Sequence, residues 1–257
     1  MSLYRVCSPP LNEIEVYRRE SDSISIPSSP TYGLDAPLGL LASNIFAPLY
    51  LYGTLRGKFQ VWQRILNDIS KQIDLCEPCL DCGCGRGMVL IEIAHLKKEF
   101  THNCSYRSVL PVYGVDIFNS FDQTSNSPLS TYRNVASANL LDYIVVHTAN
   151  FVNLPFKDNS FSLVTSSLAI HNVNNRQDKQ RAIQQCARVT KPNGWLISVD
   201  LKGNLAFYQQ ILRELHWQTI ERYWAGIQMM FGLWPCEILK AQKPQQLSDS
   251  FHSNQTN

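Results

Sequence analysis

Charge is scarce in this sequence. Its 257 residues carry a net charge of +2, with no long run of Lys or Arg. Phosphate backbones are held by clustered cations, so nucleic acid is not expected as a partner. The start lacks a basic patch followed by an apolar run and a small-residue cleavage site, so no secretory signal is expected. No internal repeat is present. Long apolar runs are scarce too. The stretch 36–55 is uncharged and of membrane-spanning length, but Pro37, Gly39, Ser43, Asn44, Pro48 and Gly53 weaken a spanning helix. It is expected either to cap an active site or to make peripheral contact with a membrane.

Cysteine, by contrast, is plentiful. Eight cysteines in a chain this long do not form the dense framework of a small secreted domain. The default is a reducing, cytoplasmic setting with most thiols free and buried. A hydrophobic fraction of 44% suffices for a sizeable core, and the length fits one α/β domain with terminal extensions.

The N-terminal 1–31 is rich in Ser and Pro and reads as flexible, and 32–56 as an apolar cap. From 54 to 75, Phe59, Trp62, Ile65, Leu66, Ile69 and Ile73 recur at helical spacing. "MVLIEIAHLKKE", "RQDKQRAIQQCARVT" and "LAFYQQILRELH" read as helices. "VYGVDIF", "YIVVHT", "FSLVTSSLAI", "WLISVDL" (after the turn "KPNG") and "EILKAQK" read as strands. Strands alternating with helices predict an α/β fold: a doubly wound, mostly parallel Rossmann-like sheet with helices on both faces and an N-terminal helical cap. The catalytic domain is expected over 57–244, with a disordered tail at 245–257.

"CEPCLDCGCGRG" invites two readings. Its C-x2-C-x2-C-x-C spacing resembles a metal knuckle. Zinc sites usually join two separated pairs across a loop. Four-iron clusters of the ferredoxin type end in C-x3-C-P, whereas only one residue precedes Cys84 here and no proline follows it. No metal is expected. The other reading is a glycine loop between a first strand and a helix, where Gly83, Gly85 and Gly87 let the backbone turn tightly and approach a ligand. A dinucleotide fingerprint would be G-x-G-x-x-G, but Met88 fills the sixth place. Asp81 is awkward beside pyrophosphate and suits an ammonium group instead.

With "LDCGCGRG", Asp116, "NLPF" and "KPNG" together, the sequence resembles the class I S-adenosylmethionine-dependent methyltransferases of the small-molecule kind, over roughly 57–200. "YGLDAP" and "DQTSN" resemble marks of one subfamily. The resemblance implies S-adenosylmethionine as cofactor, with Gly83, Gly85 and Gly87 under its methionine part and Asp81 on its ammonium. Asp116 would accept from the ribose hydroxyls, and Ile117 or Phe118 would pack on the adenine face. Asn150 stands where the family usually has Asp and would offer its carbonyl to the adenine amine. Phe151 would offer its backbone N–H to the ring, and Ser167 would lie near the sulfonium. The interval from Gly87 to Asp116 exceeds the roughly 20 residues of a tight unit, with "THNCSYRSVLP" as the insertion. Ser162 replaces the family's usual acid in "FDLV".

Methyl transfer from a sulfonium is an in-line displacement that needs alignment and exclusion of water. His171, just past the fourth strand, is the candidate base, with pocket lining as the alternative. Asn172, Asp200, Trp224, Tyr32 and Tyr52 are candidate acceptor contacts. His147, inside a strand, reads as structural. The Asn/Asp-Pro-Pro-aromatic run of exocyclic-amine base methyltransferases is replaced by "SSLAIHN", which disfavours nucleobase methylation. "RYWAGIQMMFGLW" reads as core or as the wall of a pocket for an apolar small-molecule acceptor. Three competitors stay open: the same cofactor fold used for cyclisation, a thiol metal site in a regulatory protein, and a Rossmann oxidoreductase.

Overall fold

The computed structural model describes residues 2–5, 10–20, 25–34, 40–41, 44–103, 107–119 and 123–245. The strands are β1 Cys79–Cys82, β2 Val112–Asp116, β3 Ile144–Thr148, β4 Phe161–Ser167, β5 Thr190–Leu201, β6 Thr219–Trp224, β7 Met230–Phe231 and β8 Trp234–Gln242. The sheet runs β3-β2-β1-β4-β5-β8-β6. β1 to β5 are parallel to their neighbours, β8 lies antiparallel between β5 and β6, and β7 turns back on β8. Strand order reverses between β1 and β4, and ligands of open α/β sheets bind in the crevice outside the carboxyl ends at such a point.

The helices are α1 Glu13–Glu20, α2 Ala47–Tyr52, α3 Lys58–Ile69, α4 Met88–Asn103, α5 Pro128–Ser137, α6 Arg176–Val189 and α7 Asn204–Glu214. Successive strand residues point to opposite faces of the sheet. Val112, Ile144, Leu163 and Ile197 therefore join α3, α4 and α5 residues such as Trp62, Leu90 and Val135 in one core cluster. Tyr113, Val164 and Leu196 join α6 and α7 residues such as Ile183, Tyr208 and Leu212 in the other. Each buried aliphatic side chain here contributes about 1.5–3 kcal/mol relative to exposure. The doubly wound, mostly parallel sheet is as the sequence predicts.

Several details differ from the sequence reading. The start is not loose throughout: α1 buries Ile14 against α5 and β3, and Tyr4 packs on Phe156. The helix expected from 54 begins as a π-helical stretch, Gly53–Gly57, between α2 and α3. "KPNG" lies inside β5 as an irregularity, where pairing jumps from Phe161–Thr190 to Leu163–Trp195 and Asn193 adopts φ 61°. Looping out of the ladder is how Pro192 is tolerated there. β6 was read only as part of an aromatic run. It is an edge strand, mostly exposed, and so lacks an alternating apolar pattern. Within the two subfamily marks, Asp35, Ala36, Pro37 and Asp122 lie outside the described residues, as do parts of the 36–55 stretch and 246–257 of the expected tail.

Candidate active site

β1 ends in a glycine loop that leads straight into α4. Gly83, Gly85 and Gly87 have φ of 73°, 49° and 86°, the left-handed region that side chains with a Cβ avoid. A Cβ at Gly83 would collide with Ala169, and one at Gly85 would stand 2.5 Å from Gln123 Oε1. The N–H groups of Gly83 and Cys84 donate to Val115 O at 2.8 and 3.1 Å, which ties the loop to the end of β2.

Asp81 lies under this loop, 1% exposed, and Thr165 Oγ1 donates to its Oδ1 at 2.8 Å. Burial pushes its carboxyl up to about 7; the Thr165 hydrogen bond pulls it down and the charge of Asp116 pushes it up. Asp116, at the end of β2, accepts from Gly85 N at 2.8 Å through Oδ2 and from Phe118 N at 2.5 Å through Oδ1. A carboxylate offers about four lone-pair sites in all.

A cavity of about 470 Å³ opens above this loop, in the range of small-molecule sites. Of the residues expected at a cofactor, Asp81, Gly83, Gly85, Asp116, Ile117, Asn150, Phe151 and Ser167 line it. Gly87 and Phe118 do not: Gly87 faces Thr131 and Ile91, and Phe118 packs on the α3–α5 core. Asn150 Oδ1 caps the turn Phe151–Asn153 by accepting from Val152 N at 2.9 Å. Trp62 Nε1 donates to Ser167 Oγ at 2.8 Å.

Across the cavity, the turn Ile170–Asn172 carries His171 and Asn172, which both line it. His171 Nδ1 lies 2.6 Å from Asp200 Oδ1. The carboxylate oxygen stands away from the ring N–H direction, so the contact is a close approach rather than an aligned hydrogen bond. Asp200 is 1% exposed behind His171 and does not line the cavity. Leu201 N donates to its Oδ1 at 2.8 Å and Tyr208 OH to its Oδ2 at 3.0 Å. Burial, then the charge of Asp200, raises the Tyr208 phenol far above its usual range, so the proton stays on the tyrosine.

Tyr32, Tyr52 and Trp224 stand away from the cavity. Tyr32 packs on Phe59, Tyr52 OH donates to Gln60 Oε1, and Trp224 is 57% exposed at the end of β6. The apolar wall comes from Tyr50, Leu201, Phe231 and Trp234, and buried Lys58 adds a cation. Sequence reasoning missed these as individuals, although Phe231 and Trp234 fall in the run marked as a pocket wall. The described parts of "YGLDAP" and "DQTSN" meet over the glycine loop. Leu34 N donates to Thr124 Oγ1 and Gln123 Nε2 to Tyr32 O, both at 2.9 Å, and Gln123 Oε1 accepts from Arg86 N at 3.1 Å.

The loop thiols do not converge. Cys79 and Cys84 belong to the core on one face and Cys82 to the other, where its sulfur lies 3.7 Å from that of Cys186.

Residues 80–198 match the family model described as "Methyltransferase domain". The chain is 31% identical over 153 residues to the mouse (Mus musculus) protein named "Arginine-hydroxylase NDUFAF5, mitochondrial", covering 58% of this chain and 36% of that one. It is 30% identical over 122 residues to the "Ubiquinone/menaquinone biosynthesis C-methyltransferase UbiE" of Enterobacter sp. (strain 638), covering 47% and 46%. The chain thus spans less than half the length of these relatives. A solved structure titled a putative S-adenosyl-L-methionine-dependent methyltransferase from Methanococcus maripaludis superposes with TM-score 0.52 at 17% identity, covering 87% of this chain and 99% of that one, a likeness of fold. Sheet order, glycine loop and family match agree: residues 80–198 resemble a methyltransferase domain.

Proposed function

We propose that the chain methylates a small, apolar metabolite bearing a weakly acidic hydroxyl or ring carbon, with His171 as the base. The observation that carries this reading is the pairing of two buried acids across one cavity. Asp81 sits under a loop a Cβ would fill, and Asp200 sits behind a cavity-facing histidine.

The residues present fit S-adenosylmethionine. Asp81 is a buried carboxylate that accepts from the Thr165 hydroxyl, and an arriving ammonium stabilises its charged form. Asp116 would take the ribose hydroxyls, Ile117 the adenine face, the Asn150 carbonyl the adenine amine and the Phe151 N–H the ring. When bound, the cofactor supplies an electrophilic methyl group. The chain's own residues orient the acceptor and exclude water. Asp200, held by Tyr208 and the Leu201 N–H, favours the proton on His171 Nδ1. That leaves Nε2 to take the acceptor's proton. Tyr50, Phe231 and Trp234 suit an apolar ring or tail, and the quinone named for the enterobacterial relative is of that class.

Calorimetry with S-adenosylhomocysteine, followed by transfer of labelled methyl to a panel of phenols and quinols, tests this. Heat and label are expected, and both lost in Asp81→Ala. Absence of heat in the wild-type chain rejects the reading. A second reading keeps the pocket without transfer, and the similarity to a protein named an arginine hydroxylase favours it. Product from an unlabelled mass shift, with no methyl label incorporated, would select it.

A further inference from the structure

Two largely apolar stretches, far apart in sequence, form one lip at the cavity mouth. The first is α2 with the π-helical Gly53–Gly57; the second is the turn Ile227–Met229 with the β7–β8 hairpin. Two glycines one helical turn apart let the backbones close up. A Cβ at Gly53 would stand 2.7 Å from Met230 O, and one at Gly57 would collide with Gln228 O. Inward, the lip presents Tyr50, Phe231 and Trp234 to the cavity. Outward, it leaves Ile45 84%, Leu55 51%, Ile227 64% and Leu233 62% exposed. Exposed apolar side chains gathered on adjoining elements are the kind of surface that marks an interaction site.

The charge pattern selects the partner. From 40 to 58 and from 225 to 236 there is no Asp or Glu. Arg56 is exposed on the lip, and exposed Lys202 donates its backbone N–H to Pro235 O at 2.8 Å at the foot of the hairpin. Apolar teeth flanked by cations without acids match an anionic lipid surface. Among the described residues no helix is long and apolar enough to cross a membrane, which leaves a lying rather than a spanning contact.

We propose that this lip docks in the interfacial layer of an anionic bilayer, with the cavity mouth facing lipid. That an apolar acceptor enters by this route rests on the function proposed above; the docking itself does not.

Flotation of the full chain with phosphatidylcholine vesicles, with and without phosphatidylglycerol, tests it. Binding is expected to be stronger to the anionic vesicles. The pair Ile227→Asp and Leu233→Asp should weaken it by about tenfold or more, with S-adenosylhomocysteine heat and the thermal melt unchanged. Ile45→Asp provides a second variant on the other half of the lip. No flotation of the wild-type chain overturns the proposal. So does equal binding to neutral and anionic vesicles, which would deny the cations their part. A lipid-free dimer abolished by the same substitutions would overturn it in favour of a second copy of the chain. Loss of S-adenosylhomocysteine heat alone, with flotation intact, counts against the methyl-transfer reading and not against docking.

Discussion

Burial outweighs the hydrogen bond to Thr165 and raises the Asp81 carboxyl to about 7. An acid whose folded pKa is raised binds protons more tightly when folded. The free protein therefore loses stability from this group as pH rises from the unfolded carboxyl value of 3.8 to about 7. Asp81→Asn is expected to raise the melting temperature of the free protein at about pH 8 and to leave it nearly unchanged near pH 4. An ammonium ligand requires the ionised form. S-adenosylhomocysteine affinity should accordingly fall as pH drops below about 7, and that dependence should vanish in the Asn variant. Asp200 acts at one remove. Asp200→Asn is expected to lower kcat by roughly a hundredfold with little change in KM, and Tyr208→Phe by less. An equal loss of cofactor heat would assign these residues to the scaffold instead. The glycine-loop side of the cavity was legible because its lining residues sit in consecutive short motifs, "LDCGCGRG" and "VYGVDIF". The Asp200–Tyr208 contact was not, because it depends on α7 folding back over the end of β5.

Helix α4 and the glycine loop follow from local sequence: three glycines, then an apolar run with no breaker. The lip is the opposite case. Its two halves are nearly 180 positions apart, and Gly53 and Gly57 are needed for packing rather than for a turn, so no local pattern announces them. Gly57→Ala forces the π-helical stretch away from Gln228. Overpacking of this kind costs about 1–3 kcal/mol, visible as a lowered urea midpoint. The apolar wall of the cavity should loosen with it, which fluorescence of Trp234 would report. β6 escaped notice for a related reason. An edge strand with most of its residues exposed need not alternate, and "TIERYW" reads as well in a loop.

At the scale of the whole molecule, alternation of strands and helices made the mostly parallel, doubly wound sheet readable, while the strand order, and with it the switch point between β1 and β4, comes from the structure. What alternation could not convey is how the N-terminal segment is fastened. Arg86 Nη2 donates to Thr31 Oγ1 at 2.8 Å and Nη1 to Thr124 O at 3.1 Å, while Asn134 Nδ2 donates to Thr31 O and Arg86 O. Arg86→Ala is expected to free this segment to limited proteolysis and to speed S-adenosylhomocysteine dissociation. Unchanged cleavage would mean the clasp is redundant. Farther out, His147 Nδ1 lies 2.6 Å from Leu11 O and Nε2 lies 3.1 Å from Tyr4 OH, and burial lowers its pKa. A depressed pKa gives stability above the unfolded value of 6.5 that is lost as pH falls through the folded one. Mild acid should therefore release the N-terminal arm before the sheet melts, as hydrogen exchange in β3 would record.

That arm has a further consequence. β3 is the last strand on its side of the sheet, and such a margin offers open amides and carbonyls to any passing chain. Here Glu13 Oε1 accepts from Thr148 N, and α1 lies alongside. The opposite margin, β6, carries Glu221 and Arg222 in place of a greasy ribbon. Self-propagating strand addition is thus discouraged at both rims, by a sheath on one and by charge on the other.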